Sequence, residues 1–254
     1  MPAPVRRIGI GIGSDAERVL RSIRDAALPG ISVACYCRPG TLSLPADDPI
    51  GIAESGDPGH ALAEDLVAGK IGAAVRGTLP SNQTLRALKE ATGAGHLERI
   101  ALVETPAGTR FLLAPVGVDE GWTPEEKIAL IGRGRVIAKK LNLPEKVAVL
   151  SGGRLGDVGR HPRVDASIGE AESVARLTGA THYEILIEDA IKDCGLVIAP
   201  DGISGNLIFR TLTLVGSGHG HGAPVVNIGR IFVDTSRASP NYANALLLAA
   251  LLLE

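Results

Sequence analysis

Ile71-Gly72-Ala73-Ala74-Val75-Arg76-Gly77-Thr78-Leu79-Pro80-Ser81-Asn82 runs from small and β-branched apolar residues into a polar turn and then into a helix start. Ile71–Val75 suits a buried strand, and the hydroxyl of Ser81 suits the cap of a helix that begins there. A strand that ends in such a turn and feeds a helix is the repeating unit of a parallel sheet with crossover helices. The same order recurs at Gly9–Asp15, at Ser151–Arg160, and twice more at Asp201–Asn206 and Asp234–Pro240. The fold class is therefore α/β.

Working outward, the periodicity predicts strands over Val5–Ile12, Ile31–Cys37, Arg99–Glu104, Thr109–Val116, Lys146–Leu150, His182–Leu186, Leu196–Ala199 and Val225–Val233. Helices are expected over Ala16–Ala27, through Leu66, from Ser81, over Asp165–Leu177 and over Asn206–Val215. Thr105-Pro106-Ala107-Gly108 reads as a hairpin turn, and Thr123-Pro124-Glu125-Glu126 as a capping box that opens a helix to about Leu141. Arg38–Gly59 reads as a loop. The last helix is expected to start at Ser239-Pro240, and its body, Ala243–Leu253, is apolar on every side, so it must be covered by its own chain or by a second subunit.

Composition narrows the function. Only 7 of the 254 residues are aromatic and the net charge is −2, which argues against nucleic acid as a partner. The longest apolar run, Ala245–Leu253, is far shorter than the roughly 20 residues of a membrane span, and the glycine-interrupted start does not resemble a secretory leader. The chain reads as cytoplasmic. Cys35, Cys37 and Cys194 read as buried thiols, and His219-Gly220-His221 lacks further ligands at metal-site spacing, so no metal is expected. Arg outnumbers Lys by 19 to 7, which favours planar recognition of anions.

The turns that follow the strands are the candidate chemistry, because free N–H groups at a helix start attract anions. Gly9-Ile10-Gly11-Ile12-Gly13-Ser14 approaches a dinucleotide fingerprint, with Ser14 at the third glycine position and Arg38 where an acidic residue would close the second strand, which suits NADP. Arg76, Thr78 and Ser81 form a second candidate. Gly152, Gly153 and Arg154, within a loop of four glycines and two arginines, could approach a phosphate, although the Gly-Lys-Ser/Thr ending of a P-loop is missing. Asp201, Gly205 and Asn206, and then Thr235, Ser236 and Arg237, complete the set. An arginine beside a hydroxyl at a helix start suits a tetrahedral anion.

Ala74-Val75-Arg76-Gly77-Thr78 with Ser81, Asp201-Gly-x-x-Gly-Asn206 and Asp234-Thr-Ser-Arg237 resemble, in order and spacing, the phosphotransacetylase and phosphate acyltransferase superfamily. Within it, Leu150-Ser-Gly-Gly-Arg-Leu-Gly-Asp157 and Asp201-Gly-Ile-Ser-Gly-Asn-Leu-Ile-Phe-Arg210 look most like the methanogenesis marker 4 family, described as methyltransferase-related. The resemblance implies two α/β lobes of the isocitrate dehydrogenase-like type, residues 1–95 with 238–254 and residues 96–237, an active cleft between them and a homodimer through the second lobe. It implies group transfer, acyl or methyl, on a phosphorylated or coenzyme A-bearing substrate, with Ser236 and Arg237 at the acyl phosphate, and a methyltransferase subunit as a partner. The aspartate that acetyltransferases carry after their Ser-Arg falls here among Asn241, Tyr242 and Ala243. Two rival readings follow: a non-catalytic subunit or sensor that keeps the cleft, and an NADP-dependent oxidoreductase.

Overall fold

The strand-turn-helix units build two α/β units, each around its own sheet. The computed structural model describes residues 5–254. In chain order the elements are β1 (Arg7–Gly11), α1 (Ala16–Ala26), β2 (Ser32–Cys37), β3 (Gly51–Glu54), α2 (Pro58–Val67), β4 (Ala73–Val75), α3 (Ser81–Thr92), β5 (Ala101–Glu104), β6 (Arg110–Ala114) and α4 (Pro124–Lys140). They continue with β7 (Val147–Val149), α5 (Pro162–Thr178), β8 (Thr181–His182), α6 (Ile187–Ala190), β9 (Leu196–Ile198), α7 (Gly202–Arg210), β10 (His219–Gly220), β11 (Ala223–Val225), β12 (Ile231–Asp234) and α8 (Ala243–Leu253).

One unit holds the chain up to Leu97 together with His221–Glu254, and the other holds Glu98–Gly220. The first sheet has the order β11-β12-β4-β1-β2-β3, parallel except for the β11–β12 hairpin. Residues 221–237, expected with the second lobe, lie with the first because β12 hydrogen-bonds beside β4. Ala34, Tyr36, Ala74 and Phe232 pack with Leu62, Leu66 and Leu88 of α2 and α3. Side chains alternate along a strand, so the equally buried Val33, Cys35, Ala73, Val75 and Val233 face the opposite layer, where α1 and α8 pack on each other. The chain leaves β1 and β12 toward α1 and α8 but leaves β4 toward α3. The carboxyl end of β4 is thus a point where neighbouring connections part to opposite faces, the usual place of ligands in open α/β sheets.

The second sheet runs β10-β5-β6-β9-β7-β8, with β6, β9, β7 and β8 parallel. A side chain at Gly134 of α4 would press on Leu196, and one at Gly205 of α7 would press on Ala199. Leu196 and Ala199 are three residues apart and so lie on opposite faces, which places α4 and α7 on opposite sides of β9. The second sheet has its own switch point there.

Several expectations are corrected. Within Arg38–Gly59 a short edge strand, β3, pairs with β2; its half-exposed residues give it little apolar signal. Val225–Val233 is a hairpin, not one strand, because Gly229 turns the chain at a φ of 63°. The His182–Leu186 strand stops after His182, Glu184 sits at a φ of 55°, and α6 follows. Helix α7 starts earlier than Asn206, at Gly202, and Thr211–Val215 is a π turn. Ser81 is the first residue of α3 and not its cap; Pro80 occupies the cap position, with no side-chain bond. His219 and Gly220, where no strand is expected, form β10. Of the two covers expected for α8, its own chain supplies one side, burying Leu246 and Ala249 and leaving Leu247 and Leu251 exposed. The Met1–Pro4 part of the leader reading lies outside the described residues.

Other local signals hold. Thr123 caps α4 by accepting from the Glu126 N–H at 3.3 Å, and the Glu126 carboxylate reaches back to the Trp122 N–H at 2.7 Å. Among the described residues, no helix is long and apolar enough to cross a membrane.

Gly77 sits at a φ of 60°, and a Cβ there would collide with the Gly11 carbonyl oxygen at the end of β1. Gly77→Ala therefore combines left-handed strain with backbone overlap, and urea denaturation should show a loss of about 2–4 kcal/mol. An unchanged midpoint would mean that this approach is not required.

Candidate functional site

The carboxyl end of the first sheet is organised by a buried ion pair. The Arg76 side chain leaves β4 and points inward, 4% exposed. Its Nε donates to the Asp234 carboxylate at the end of β12, and its Nη1 donates to the Leu79 carbonyl at 2.7 Å. Asp234 Oδ1 also accepts from the Thr235 N–H at 2.9 Å, and Thr235 Oγ1 donates to the Gly77 carbonyl at 3.0 Å. Removing one partner of such a pair leaves an uncompensated buried charge, at a cost of about 3–5 kcal/mol. Arg76 and Thr235 thus fasten two loops together.

Thr78 does the same for a third loop. Its Oγ accepts from the N–H groups of Gly13 at 3.0 Å and Ser14 at 3.2 Å, and donates to the Ser14 carbonyl at 2.7 Å. Asp15 then caps α1, accepting from the Arg18 N–H at 3.1 Å. The amides that a pyrophosphate would require at the glycine-rich turn are already bonded within the protein, so the NADP reading gains no support from this loop.

Ser236 and Arg237 stand differently. Ser236 is half-buried; its Oγ accepts from the Ala238 N–H at 3.2 Å and its carbonyl from the Ser239 N–H at 3.1 Å, closing a tight turn. Arg237 is exposed, and among the described residues it has no hydrogen bond or ion pair. Tyr242, 1% exposed, packs its ring 5.5 Å below the Arg18 guanidinium. Burial raises the Tyr242 phenol above its usual range, and the positive charges of Arg18, Arg76 and Arg237 oppose that rise without cancelling it. Asn241 donates its amide to Asp25 at 2.9 Å. Neither residue offers a proton acceptor at neutral pH.

In the second unit, the loop after β7 is closed on itself. The Gly152 N–H donates to Ser167 at 2.8 Å, the Arg154 N–H to Asp157 at 2.9 Å, and the Leu155 N–H to Glu184 at 3.2 Å. Gly153 is buried, and the Arg154 side chain is exposed. Ser151 Oγ lies 2.9 Å from the Gly153 carbonyl and 2.8 Å from His182 Nε2. A carbonyl can only accept, so the hydroxyl proton goes to Gly153 and His182 must donate from Nε2. This pair was not foreseen, since 31 residues separate its members. It orders the loop and does not activate the serine.

The Asp201–Asn206 turn is packed just as tightly. Asp201 caps α7 by accepting from the Ser204 N–H at 2.7 Å, and Asn206 donates to the Val116 carbonyl at 2.8 Å. A Cβ at Gly202 or Gly205 would overlap the carbonyl oxygens of Gly117 and Pro115. These glycines let α7 approach the loop after β6. That loop is anchored by the buried Glu120, which pairs with Arg99 at 2.6 Å and accepts from the Gly117 N–H at 3.2 Å. Burial raises the Glu120 carboxyl, with Arg99 acting against it.

With this geometry in hand, the comparisons fall into place. No family model matches the chain. Its fold is that of the phosphotransacetylases. It superposes on a branched-chain phosphotransacylase from Enterococcus faecalis with a TM-score of 0.75, at 19% identity, over 97% of this chain and 98% of that one. A phosphotransacetylase from Streptococcus pyogenes gives 0.67 at 18% identity over 97% and 93%. In sequence, the chain is 45% identical over 206 residues to a Methanosarcina barkeri protein named "Putative methyltransferase mtx subunit X", covering 79% of this chain and 76% of that one. It is 40% identical over 259 aligned positions to an uncharacterized methyltransferase of Methanopyrus kandleri, covering 96% and 98%. The chain belongs to the mtx subunit X family.

Asp157 supplies a pH test. The Arg154 N–H and then the Arg160 guanidinium hold its carboxyl below the usual carboxylate range. A lowered folded value means that the closed loop is favoured above the unfolded value and loses that support as pH falls through the folded one. Amide exchange at Arg154 should stay protected through the ordinary carboxylate range and accelerate only below it, whereas Asp157→Asn should lose that acid-dependent step. Protection lost already within the ordinary range would remove the assignment.

Proposed function

We propose that this protein is a group-transfer protein, linked to methanogenesis through its methyltransferase-named relatives, and that it binds a small phosphate- or coenzyme A-bearing anion at the carboxyl end of its first sheet. Arg237 holds the anion and Ser236 orients it, while Arg76, Thr78 and Thr235 frame the loops around them and Ser81 lies at the uncapped start of α3. In the second unit, taken by itself, the exposed Arg154 beside Gly152 and Gly153, and Asp201 with Gly205 and Asn206, are further candidates for ligand contact. The observation that carries the reading is the guanidinium of Arg237, without a partner among the described residues, beside a hydroxyl at a turn closed by the Ala238 and Ser239 N–H groups on Ser236. Catalysis on this reading rests on positioning and electrostatic stabilisation.

Arg237→Ala should weaken binding of inorganic phosphate at least about tenfold by calorimetric titration, since a charge-assisted bond is worth about 1.5–3 kcal/mol. Unaltered affinity would refute the site.

A second reading, a binding subunit without chemistry of its own, is favoured by Asn241 and Tyr242. The first is an amide held by Asp25, and the second is a phenol raised by burial, where acetyltransferases carry a carboxylate. Turnover of acyl phosphate with coenzyme A by the purified protein alone would exclude it.

The proposed homodimer uses the second unit. Ile203, Leu207 and Leu214 are exposed along α7 and the π turn, at spacings that repeat on one side. Leu207→Asp should convert a dimer to a monomer in sedimentation velocity with the fold retained; a dimer that survives the change lies elsewhere.

A further inference from the structure

The turn that carries Arg237 is held by one stripe of a single helix. Arg18, Ser22 and Asp25 lie on the same side of α1, at spacings of four and three residues. Arg18 Nη1 donates to the Ser239 carbonyl at 2.9 Å. Ser22 Oγ accepts from the Tyr242 N–H at 2.9 Å while donating to the Arg18 carbonyl at 2.7 Å. Asp25 accepts from the Asn241 amide at 2.9 Å. The Tyr242 hydroxyl, whose ring lies under the Arg18 guanidinium, reaches back to the Ser236 carbonyl at 3.4 Å. Residues 236–242 are therefore fixed at both ends and in the middle.

Arg18 is committed within the protein. Its Nη1 serves Ser239, its Nε forms an ion pair with Asp15 Oδ2 at 3.1 Å without a hydrogen bond, and its planar face rests on the Tyr242 ring. An arginine so placed orients backbone. A ligand that binds a mobile loop must order it, and a turn ordered beforehand binds the same ligand more tightly. We infer that Arg18 is a positioning residue, which sets the anion affinity of Ser236–Arg237 by fixing their turn against α1 through Ser239 and Tyr242. This rests on the anion site proposed above and adds what makes that site tight.

The test is a double-mutant cycle read with inorganic phosphate, combined with amide exchange of the turn. Arg18→Met should raise exchange at Ala238, Ser239 and Tyr242 about tenfold and weaken phosphate about fivefold in the native background, yet change affinity little once Arg237→Ala is present. Arg18→Lys keeps the charge without the planar fork and should loosen the turn in the same direction, which guards against a Met variant that folds poorly. Losses that multiply in the double variant would mean that Arg18 touches the anion itself, and would overturn the proposal. So would unchanged exchange, or faster exchange with unchanged phosphate affinity. If the native protein takes up no phosphate, the anion site falls and the ligand role of Arg18 with it, while the exchange data still report whether Arg18 orders the turn.

Discussion

The first unit depends on a charge pair that has no contact with bulk water to speak of. Arg76 follows β4 and Asp234 ends β12, and their contact closes the gap between adjacent parallel strands just where the chain leaves for opposite faces. Two ions taken out of water are tolerated only if their remaining hydrogen-bonding capacity is met. Here Leu79 and Thr235 supply part of it. The consequence is a rigid floor made of the β4 and β12 loops, with Thr78 tying the β1 loop into it. The turn that begins at Ser236 leaves from that floor and is held against α1.

Rigidity of this kind decides which polar groups remain for a ligand. A loop amide bonded to Thr78, Asp157 or Ser167 can meet a phosphate only after that bond breaks, and the gain from the new bond is then offset by the loss of the old one. An exposed guanidinium with no partner gives up only hydration. By this criterion the backbone amides of Gly13, Ser14, Gly152 and Arg154 belong to the scaffold, and a small remainder, the exposed guanidinium of Arg237 among it, is left for a ligand. The carboxylates Asp157 and Glu184, which close the second unit's loop, also disfavour an anion directly beside them.

Much of the fold was legible because it is written in local chemistry. Thr123-Pro124-Glu125-Glu126 contains its own cap, and the apolar strands identify themselves by burial on both faces. Less could be read where the deciding partner is distant. Arg76 looked like a ligand group because its place after an apolar strand was visible, whereas its inward direction depends on Asp234, 158 residues away. The break inside Val225–Val233 turned on a single glycine in the left-handed region, and β3 was missed because an edge strand with half-exposed residues has no alternation to show. The apolar α8 is expected to be covered by its own chain or by a second subunit. Within its own chain Leu246 and Ala249 are buried while Leu247 and Leu251 stay exposed, because hydrophobic sequence measures what a helix could bury and not what packs against it.

The composition of the proposed anion site also constrains its chemistry. A base that removes a proton from a thiol or hydroxyl must hold a lone pair at working pH and be able to carry the resulting proton. Along Ser236–Ala243, the side chains that could lie near the Arg237 turn are hydroxyls, amides, a guanidinium and a phenol whose burial favours its neutral form. The same positive charges that draw in an anion would also stabilise a developing negative charge, so electrostatic assistance survives where proton abstraction does not. On the proposed reading, then, a proton acceptor has to come from outside Ser236–Ala243: from a neighbouring carboxylate such as Asp25, from the substrate's own phosphate or from a partner subunit. The last of these accords with the subunit designation in the name of the Methanosarcina barkeri relative.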